Sequence, residues 1–556
     1  MKVSCLAAAS RSCLPRSRPA LRSVRPSSIR PNGLRRTLHT GCASFRSPME
    51  RRMNETTSFW MRTRAALPEI PPMSTRVSTA IEDVVVVGAG IAGLSVALAL
   101  LERGRRVLVV EREAIGAGQT LRTSAHLASA LDDRFHALER WHGLEGAREA
   151  AQSHARAIER IECWCRDYAI DCAFARVDGW LIEEGASSED EIDREYAAAL
   201  RAGLEVELCE RAPIEGEGRA LRFGAQARFD PARYLAGLAR AVRERGGEWL
   251  RADVGGLEGG PVARIRTAGG EEIAAHAVVL ASNVPFHEAV AVHTKQAPYR
   301  TYVIACPIAR DAFPDILLWD MGDPYHYLRR VDDQSGERSW LIVGGADHKT
   351  GQGPDHASFE ALLDWTRERI PSTGSPEWSW SGQVLEPVDG LAFIGRDPGG
   401  KENVFVVTGD SGNGLTHATV AAELIPDLIL GNANACESLY DPRRKPVHAL
   451  ATWASENANV VAQYRDWIAP GDERPLDPLD GTIVRQGVHR IAVCRREDGA
   501  LCAYSAVCPH LGCIVRWNAV ERTWDCPCHG SRFDPRDGRV LNGPAARGLE
   551  RLEVPD

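Results

Sequence analysis

Residues 82–113, EDVVVVGAGIAGLSVALALLERGRRVLVVERE, read as a strand, a glycine-rich turn, a helix and a second strand that ends in acid. The apolar run from Val84 leads into Gly88-x-Gly90-x-x-Gly93. Glycines at these three places let the backbone approach a pyrophosphate at a helix N-terminus, where the dipole and free N–H groups favour an anion. Glu111 closes the second strand, placed to hydrogen-bond a ribose hydroxyl. With all these parts in register, a dinucleotide site is predicted. Val84 to Leu101 is also eighteen residues without a charge, long enough to suggest a membrane span. Its three glycines, and the apolar run Val107 to Val110 after a short polar break, indicate instead a buried strand, a tight turn and a core helix. No transmembrane segment is expected.

At 556 residues the chain is too long for one core, and two or three domains are expected. Its 44% hydrophobic and 26% charged residues are ordinary for globular protein. Charge is unevenly spread. Residues 1–52 hold twelve Lys or Arg and one acid, Glu50, which leaves 55 basic against 74 acidic residues in the remainder. That acidic body argues against nucleic acid as a partner, because phosphate binding needs clustered Lys and Arg. The Arg- and Ser-rich start has the composition of a mitochondrial transit peptide, which would direct the protein to the matrix. The favoured alternative is an extension ahead of a true first residue, Met53, where MNETTSFW reads as a natural beginning and a cytoplasmic location follows. Either way, 1–52 stays outside the fold, and 53–80 forms an N-terminal arm.

There are fifteen Cys. Cys5, Cys13, Cys42, Cys163, Cys165, Cys172, Cys209, Cys306 and Cys436 show no metal spacing and read as small buried hydrophobes. From Gly481 onward, the short alternating runs TIVRQ, HRIAVCRR and ALCAYSAV predict a small antiparallel β unit. Then come Cys508-Pro-His510-Leu-Gly-Cys513 and, after fifteen intervening residues beyond His510, Cys526-Pro-Cys528-His529-Gly-Ser531. Two loops thus offer two thiolates and two imidazoles. Structural zinc is one reading, although zinc motifs group their cysteines together and their histidines together. One Cys and one His per loop suits a binuclear cluster, with Cys508 and Cys526 on one iron and His510 and His529 on the other.

This segment, 475–556, closely resembles the Rieske [2Fe–2S] family. The resemblance implies one cluster per chain and a disulfide between Cys513 and Cys528 that ties the two loops together. It also implies that the Ser531 hydroxyl hydrogen-bonds the cluster and raises its potential. Phe533 stands where high-potential members often carry a tyrosine, so a potential below theirs is expected, within the Rieske range of roughly −150 to +300 mV. Gly543-Pro544-Ala545 resembles the loop that covers the cluster. The imidazoles are expected nearer solvent, as the route for electrons, with a potential that falls as pH rises.

Upstream, residues 81–436 resemble the FAD-dependent oxidoreductases of the D-amino-acid-oxidase (DAO) type. The resemblance rests on GGEWLRADVGGLE, IAAHAVVLASNVP, SGQVLEPVDGLAFIGRDP and VFVVTGDSGNGLTHATVAAELI, and is closest to members with a Rieske tail. It implies FAD, held by Gly88, Gly90, Gly93, Glu111 and Val254. Gly409, Asp410, Gly412, Asn413 and Gly414 would form a turn against the flavin, ahead of a helix whose positive end favours the reduced, anionic ring. His126 lies where the chain passes the flavin in this family, and is expected to position the loop there, with a covalent flavin link as the alternative.

The expected architecture is α/β plus all-β. An FAD-binding Rossmann-like domain (81–130, 225–290, 380–436) carries an inserted antiparallel-sheet substrate domain (131–224, 291–379). A linker with a helix (437–474) and a small antiparallel β Rieske domain (475–556) follow. FAD and a [2Fe–2S] cluster in one chain imply an oxidoreductase that takes electron pairs from a small-molecule substrate, an amine or amino acid by resemblance, and exchanges them singly with an external partner. Arg300, Tyr302, Tyr325, His326 and Arg329 fall in the substrate domain, where a substrate carboxylate would want an arginine, although for each singly a solvated strand residue is the favoured reading. No catalytic base is assigned. Reverse flow, from cluster to FAD, and a non-catalytic redox sensor are the alternatives. A ring-hydroxylating oxygenase is excluded: it needs a mononuclear iron site downstream, and the 27 residues after His529 contain no His.

Overall fold

The structure is a computed structural model that describes residues 56–70, 81–184, 189–214, 218–287, 290–333, 335–353, 355–472 and 474–554. The Arg-rich stretch 1–52 and the start at Met53 lie outside the described residues, as does part of the arm over 53–80.

The dinucleotide motif folds as expected. Strand Glu82–Val87 is central to an eight-stranded sheet, with Val107–Glu111 and Glu248–Arg251 on one side and Glu272–Leu280 and Val404–Thr408 on the other, all parallel. Phe393–Arg396 closes one edge antiparallel, and an antiparallel ribbon, Val254–Glu258 with Ala263–Thr267, extends from Glu272–Leu280. Parallel strands covered on both faces need continuous apolar runs, and Val84 to Val87 and Val107 to Val110 supply them. Helix Ile91–Glu102 packs between helices Gly414–Leu430 and Pro231–Glu244. Its apolar residues therefore face inward on all sides, and Leu94, Leu98 and Leu100 are wholly buried, each stabilising by about 2 kcal/mol.

A nine-stranded sheet stands against this domain. Its order is Trp378–Pro387, Gln296–Ile308, Ser339–Lys349, His326–Asp332, Leu317–Asp320, Ala175–Ile182, Ala220–Arg228 and His126–Leu127, with Val206–Cys209 also on Ala220–Arg228. Neighbours are antiparallel except Leu317–Asp320 and Ala175–Ile182, which run parallel. Sheet membership shifts the boundaries expected from sequence. Trp378–Pro387 pairs along its length with Gln296–Ile308, so a division at 380 cuts through a strand of this second sheet. Ala220–Arg228 and His126–Leu127 likewise belong here, not with the Rossmann-like sheet. Ladder pairing, not the position of the glycine-rich turns, sets these limits.

The C-terminal unit consists of two four-stranded antiparallel sheets. One contains Gly481–Gln486, His489–Arg495, Leu501–Ser505 and Arg551–Leu552; the other contains Arg516–Asn518, Thr523–Asp525, Arg532–Phe533 and Val540–Asn542. Tyr504, Trp524 and Phe533 fill the core beneath the cysteine-bearing loops. Among the described residues no helix is long and apolar enough to cross a membrane.

Gly93 tests the turn. A Cβ there would lie far inside contact distance of the Gly88 carbonyl oxygen, a backbone atom that cannot move aside. Gly93→Ala is expected to destabilise the protein by about 1–3 kcal/mol in denaturant unfolding, while Gly255→Ala, with open space around it, changes stability by less than about 0.5 kcal/mol.

Candidate functional site

The two sheets and the C-terminal unit together enclose a cavity of about 870 Å³. The dinucleotide turn forms one wall: Gly88, Gly90 and Glu111 border it, as do Val254, Gly409, Asp410, Gly412, Asn413 and Gly414. Gly93 does not border the cavity; it lies behind Gly88 and allows the close approach. The N-termini of helices Ile91–Glu102 and Gly414–Leu430 both open onto the cavity. Glu111 ends its strand there, accepting hydrogen bonds from Ala89 N (2.8 Å) and Glu113 N (3.0 Å). Backbone donors, absent Cβ atoms and a ribose-directed carboxylate at one wall fit a dinucleotide.

His126 also borders the cavity, but both ring nitrogens are engaged, Nδ1 with Ser124 Oγ (3.0 Å) and Nε2 with Leu328 O (3.1 Å). Burial pushes its pKa down to about 3, with Arg329 adding to the effect. It is a neutral ring fixed in place. Of the five candidates for substrate contact, only Tyr325 borders the cavity. Arg300 is fully buried and pairs with Ser381 and Glu521. Arg329 donates to the carbonyls of Ala125 and Phe229. Tyr302 meets His348, and His326 meets Asp320. Neither arginine borders the cavity, so neither meets a substrate carboxylate there.

The opposite wall comes from the C-terminal unit, including Glu521, Arg532 and residues 539–543. Behind it lie the two cysteine loops, which share one backbone pattern. Cys508 N donates to Cys513 O and Gly512 N to Cys508 O; Cys526 N donates to Ser531 O and Gly530 N to Cys526 O, all at 2.8–3.0 Å. Gly530 adopts φ +74° here and packs on Pro298 and Gln383, where a side chain would collide. Cys513 and Cys528 are disulfide-bonded. Cys508 and Cys526 are free and buried, and the hydrogen bond from Cys526 holds the Cys508 thiol below its ordinary range. The rings of His510 and His529 meet edge to face at 4.9 Å, and both Nδ1 atoms are buried without a partner. Burial pushes both imidazoles down to about 4, keeping them neutral as metal ligation requires. Two thiols and two orphaned imidazole nitrogens fit a [2Fe–2S] cluster of the Rieske kind. Ser531 Oγ accepts from Ala545 N (3.0 Å), leaving its hydroxyl proton free to point at the sulfur ligands.

The imidazoles lie nearer solvent than the two free cysteines, as the sequence suggested, but they are largely covered. His510 is half-buried, His529 is 7% exposed against 1% for Cys508 and Cys526, and His510 Nε2 lies 3.3 Å from Nδ1 of the buried His293. The flavin-binding half covers this side, because His293 meets His510 and strands Gln296–Ile308 and Trp378–Pro387 pack against Gly530 through Pro298 and Gln383. Gln383 borders the cavity and donates to Gly530 O (2.9 Å), next to His529.

The family model for FAD-dependent oxidoreductases (DAO) matches residues 83–428, and that for the Rieske [2Fe-2S] domain matches 466–553. The chain belongs to the DAO family of FAD-dependent oxidoreductases. It is 30% identical over 507 residues to YhfW of Bacillus subtilis (strain 168), by name a Rieske 2Fe-2S iron-sulfur protein, spanning 89% of this chain and 97% of that one. It is 26% identical over 368 residues to gamma-glutamylputrescine oxidoreductase of Escherichia coli (strain K12), spanning 63% of this chain and 84% of that one. In fold, it resembles L-amino acid deaminase from Proteus vulgaris, with a TM-score of 0.56 and 19% identity over 70% of this chain and all of that one. This DAO-family oxidoreductase therefore carries an FAD domain and a Rieske domain as one enzyme.

Several residues of the site have no local signature. Glu521 is the clearest. It is buried, with Arg122 (3.2 Å) and Arg300 (3.1 Å) reaching it from the flavin half and Arg532 (3.5 Å) from its own domain. Burial alone would raise its carboxyl, but the three guanidinium groups outweigh this and hold it down at about 2. Its folded pKa lies below the unfolded one. The stabilisation is therefore full above roughly pH 4.3 and is lost as pH falls through about 2. Glu521→Gln is expected to cost roughly 3–5 kcal/mol at pH 7, and much less at pH 2, in denaturant unfolding.

Ser531→Ala tests the cluster environment. Loss of one hydrogen bond worth about 1 kcal/mol should lower the midpoint potential by roughly 45 mV, read by EPR-monitored redox titration.

Proposed function

We propose that this enzyme oxidises an amine or amino-acid-like substrate at a C–N bond and delivers the electrons singly to an external acceptor. In this reading FAD lies along Gly88, Gly90, Glu111 and Val254, with its ring end against Asp410, Asn413 and Gly414. The cluster is held by Cys508 and Cys526 on one iron and His510 and His529 on the other, with Cys513–Cys528 tying the loops. When bound, the flavin takes a hydride as an electron pair, and the cluster carries electrons one at a time.

The observation that carries the reading is the shared cavity. One wall is the dinucleotide turn, the other is the Rieske domain, and Gln383 connects the space to the backbone beside His529. The chain's own residues supply position and enclosure. The two helix N-termini offer positive ends to the pyrophosphate and the ring. Thr301 and Tyr327 on the second sheet, with Tyr325 just ahead of strand His326–Asp332, form the side that a substrate meets, and Thr301 Oγ1 and Tyr327 OH hold one another at 2.7 Å. Residues 539–548 cover the cavity and limit water. Gamma-glutamylputrescine oxidoreductase acts, by its name, on an amine derivative, which agrees with C–N oxidation here. The domain limits in this reading are 81–436 for the flavin-binding half and 475–556 for the Rieske domain, with the linker helix Leu450–Gln463 between them.

The test is anaerobic mixing of the holoprotein with a panel of amines and amino acids, followed by turnover with a one-electron acceptor. Flavin bleaching by a panel member, and acceptor reduction that disappears in a His529→Ala variant retaining FAD, are expected. Bleaching only when reduced acceptor is supplied would establish reverse flow. No bleaching by any amine would leave the redox-sensor reading.

A further inference from the structure

Segment 281–287 leaves the C-terminal end of strand Glu272–Leu280 and runs along the cavity, where Ala281, Ser282, Asn283, Val284 and Phe286 border it. It begins against the dinucleotide turn, with Ala281 N donating to Val87 O (2.9 Å). Side chains then pin it. Ser282 Oγ donates to Val284 O (3.0 Å), Thr408 Oγ1 donates to Asn283 O (2.6 Å), and His287 Nε2 meets Asp397 Oδ1 (2.5 Å). Pro285, between two cavity residues, therefore holds its carbonyl in a fixed direction. That carbonyl faces His293 Nε2 at 3.1 Å.

His293 ends the short helix Val290–His293 and is 5% exposed. Its two ring nitrogens have opposite roles. A carbonyl oxygen only accepts, so Nε2 carries the proton, and Nδ1 of the neutral ring is an acceptor. Nδ1 lies 3.3 Å from His510 Nε2, with the two rings edge to face. His510 Nε2 is then the donor, which leaves His510 Nδ1 bare. This is the atom that is buried without a partner, as a ligand nitrogen must be.

The two hydrogen bonds make an unbroken line from the cavity wall to a ligand ring. Gln383, the other link between the cavity and the cysteine loops, stops at the carbonyl of Gly530, one residue past His529. Electrons pass more readily along bonds and hydrogen bonds than across an unbridged gap, because the intervening orbitals couple donor to acceptor.

From these two bonds, we infer that His293 joins the flavin cavity to the cluster. By accepting the His510 N–H it sets the tautomer that bares Nδ1 for iron, and the line Pro285 O, His293, His510 is the route by which electrons cross. The inference rests on the exchange of electrons between flavin and cluster proposed above, and it deepens that reading. Each passage takes one electron from the reduced flavin and gives it to the oxidised cluster, and no bond of His293 is made or broken. Two passages, with the flavin's proton lost to water, return the flavin to its oxidised form. His293 acts through His510 and is a positioning residue.

An acceptor on a ligand's outer N–H makes the imidazole more basic, which favours the oxidised iron and lowers the potential. His293→Leu makes neither bond. It is expected to raise the cluster's potential in an EPR-monitored titration and yet to slow electron transfer by about tenfold or more. Driving force and rate then move in opposite directions, which a loosened fold or a shifted potential alone does not produce. His293→Gln, whose amide can accept from His510 and donate to Pro285, is expected to restore both.

Transfer is measured in the anaerobic holoprotein after flash photoreduction of the flavin, so no amine is needed. Equal rates in His293→Leu and wild type, or slowing by Gln383→Leu in its place, overturn the inference. No transfer in the wild type removes it together with the flavin–cluster reading. Slow transfer in His293→Leu, with no amine able to bleach the flavin, keeps the inference and removes amine oxidation. A wild-type measurement decides the matter even if the variant fails to load. Proton ENDOR of the reduced cluster after transfer to D2O is expected to retain at least one slowly exchanging imidazole proton, and immediate loss of both overturns the inference.

Discussion

The structure depends on one buried charge. Glu521 sits where the Rieske domain meets the flavin half, with Arg122, Arg300 and Arg532 around it and Ser381 beside it. A carboxylate removed from water is costly by several kcal/mol unless it is paired and hydrogen-bonded. Arg300, wholly buried, faces the same constraint from the other side. Neither half satisfies these groups alone, so each requires the other in one particular orientation. Around that centre, weaker contacts fix the angle: Arg112 to Leu541 O, Arg516 to Gly351 O, Gln352 to Pro527 O and Glu113 to Arg539.

Docking and cavity closure are thus the same event. The face that carries Glu521 also presents residues 539–548 to the dinucleotide turn, so a docked Rieske domain is the lid of the flavin cavity. It also covers much of the two imidazoles. His510 meets His293, and the loop that carries His529 rests on Pro298 and Gln383. The linker helix Leu450–Gln463 holds the outside of the arrangement, through Glu456 to Lys349 and Asn459 to Gln352, while Tyr464 and Trp467 grip the carbonyls of Leu511 and Gly512.

Local chemistry was legible in the sequence, and its assembly was not. The turn Gly88 to Gly93 needs particular residue types at particular places whatever surrounds it, and so do the loops Cys508–Cys513 and Cys526–Ser531. Each can be read without knowing its neighbours. Glu521, Arg122 and Arg300 come from separate elements, and nothing local distinguishes them from solvated charges. Arg300 and Arg329 read from the sequence as solvated strand residues, with a carboxylate role as the alternative; tertiary packing buries both and uses them as structural donors instead. The partial covering of the imidazoles was not legible for the same reason: His293, which meets His510, lies more than two hundred residues upstream of the loops.

Central to this account is that electrons cross from flavin to cluster within a single docked chain. Rapid-freeze EPR after anaerobic mixing of holoprotein with a reducing amine, at several protein concentrations, measures this directly. The account predicts that the reduced-cluster signal follows flavin reduction with a first-order rate independent of protein concentration. A rate that rises in proportion to concentration, or a cluster that stays oxidised beside a reduced flavin, would contradict it.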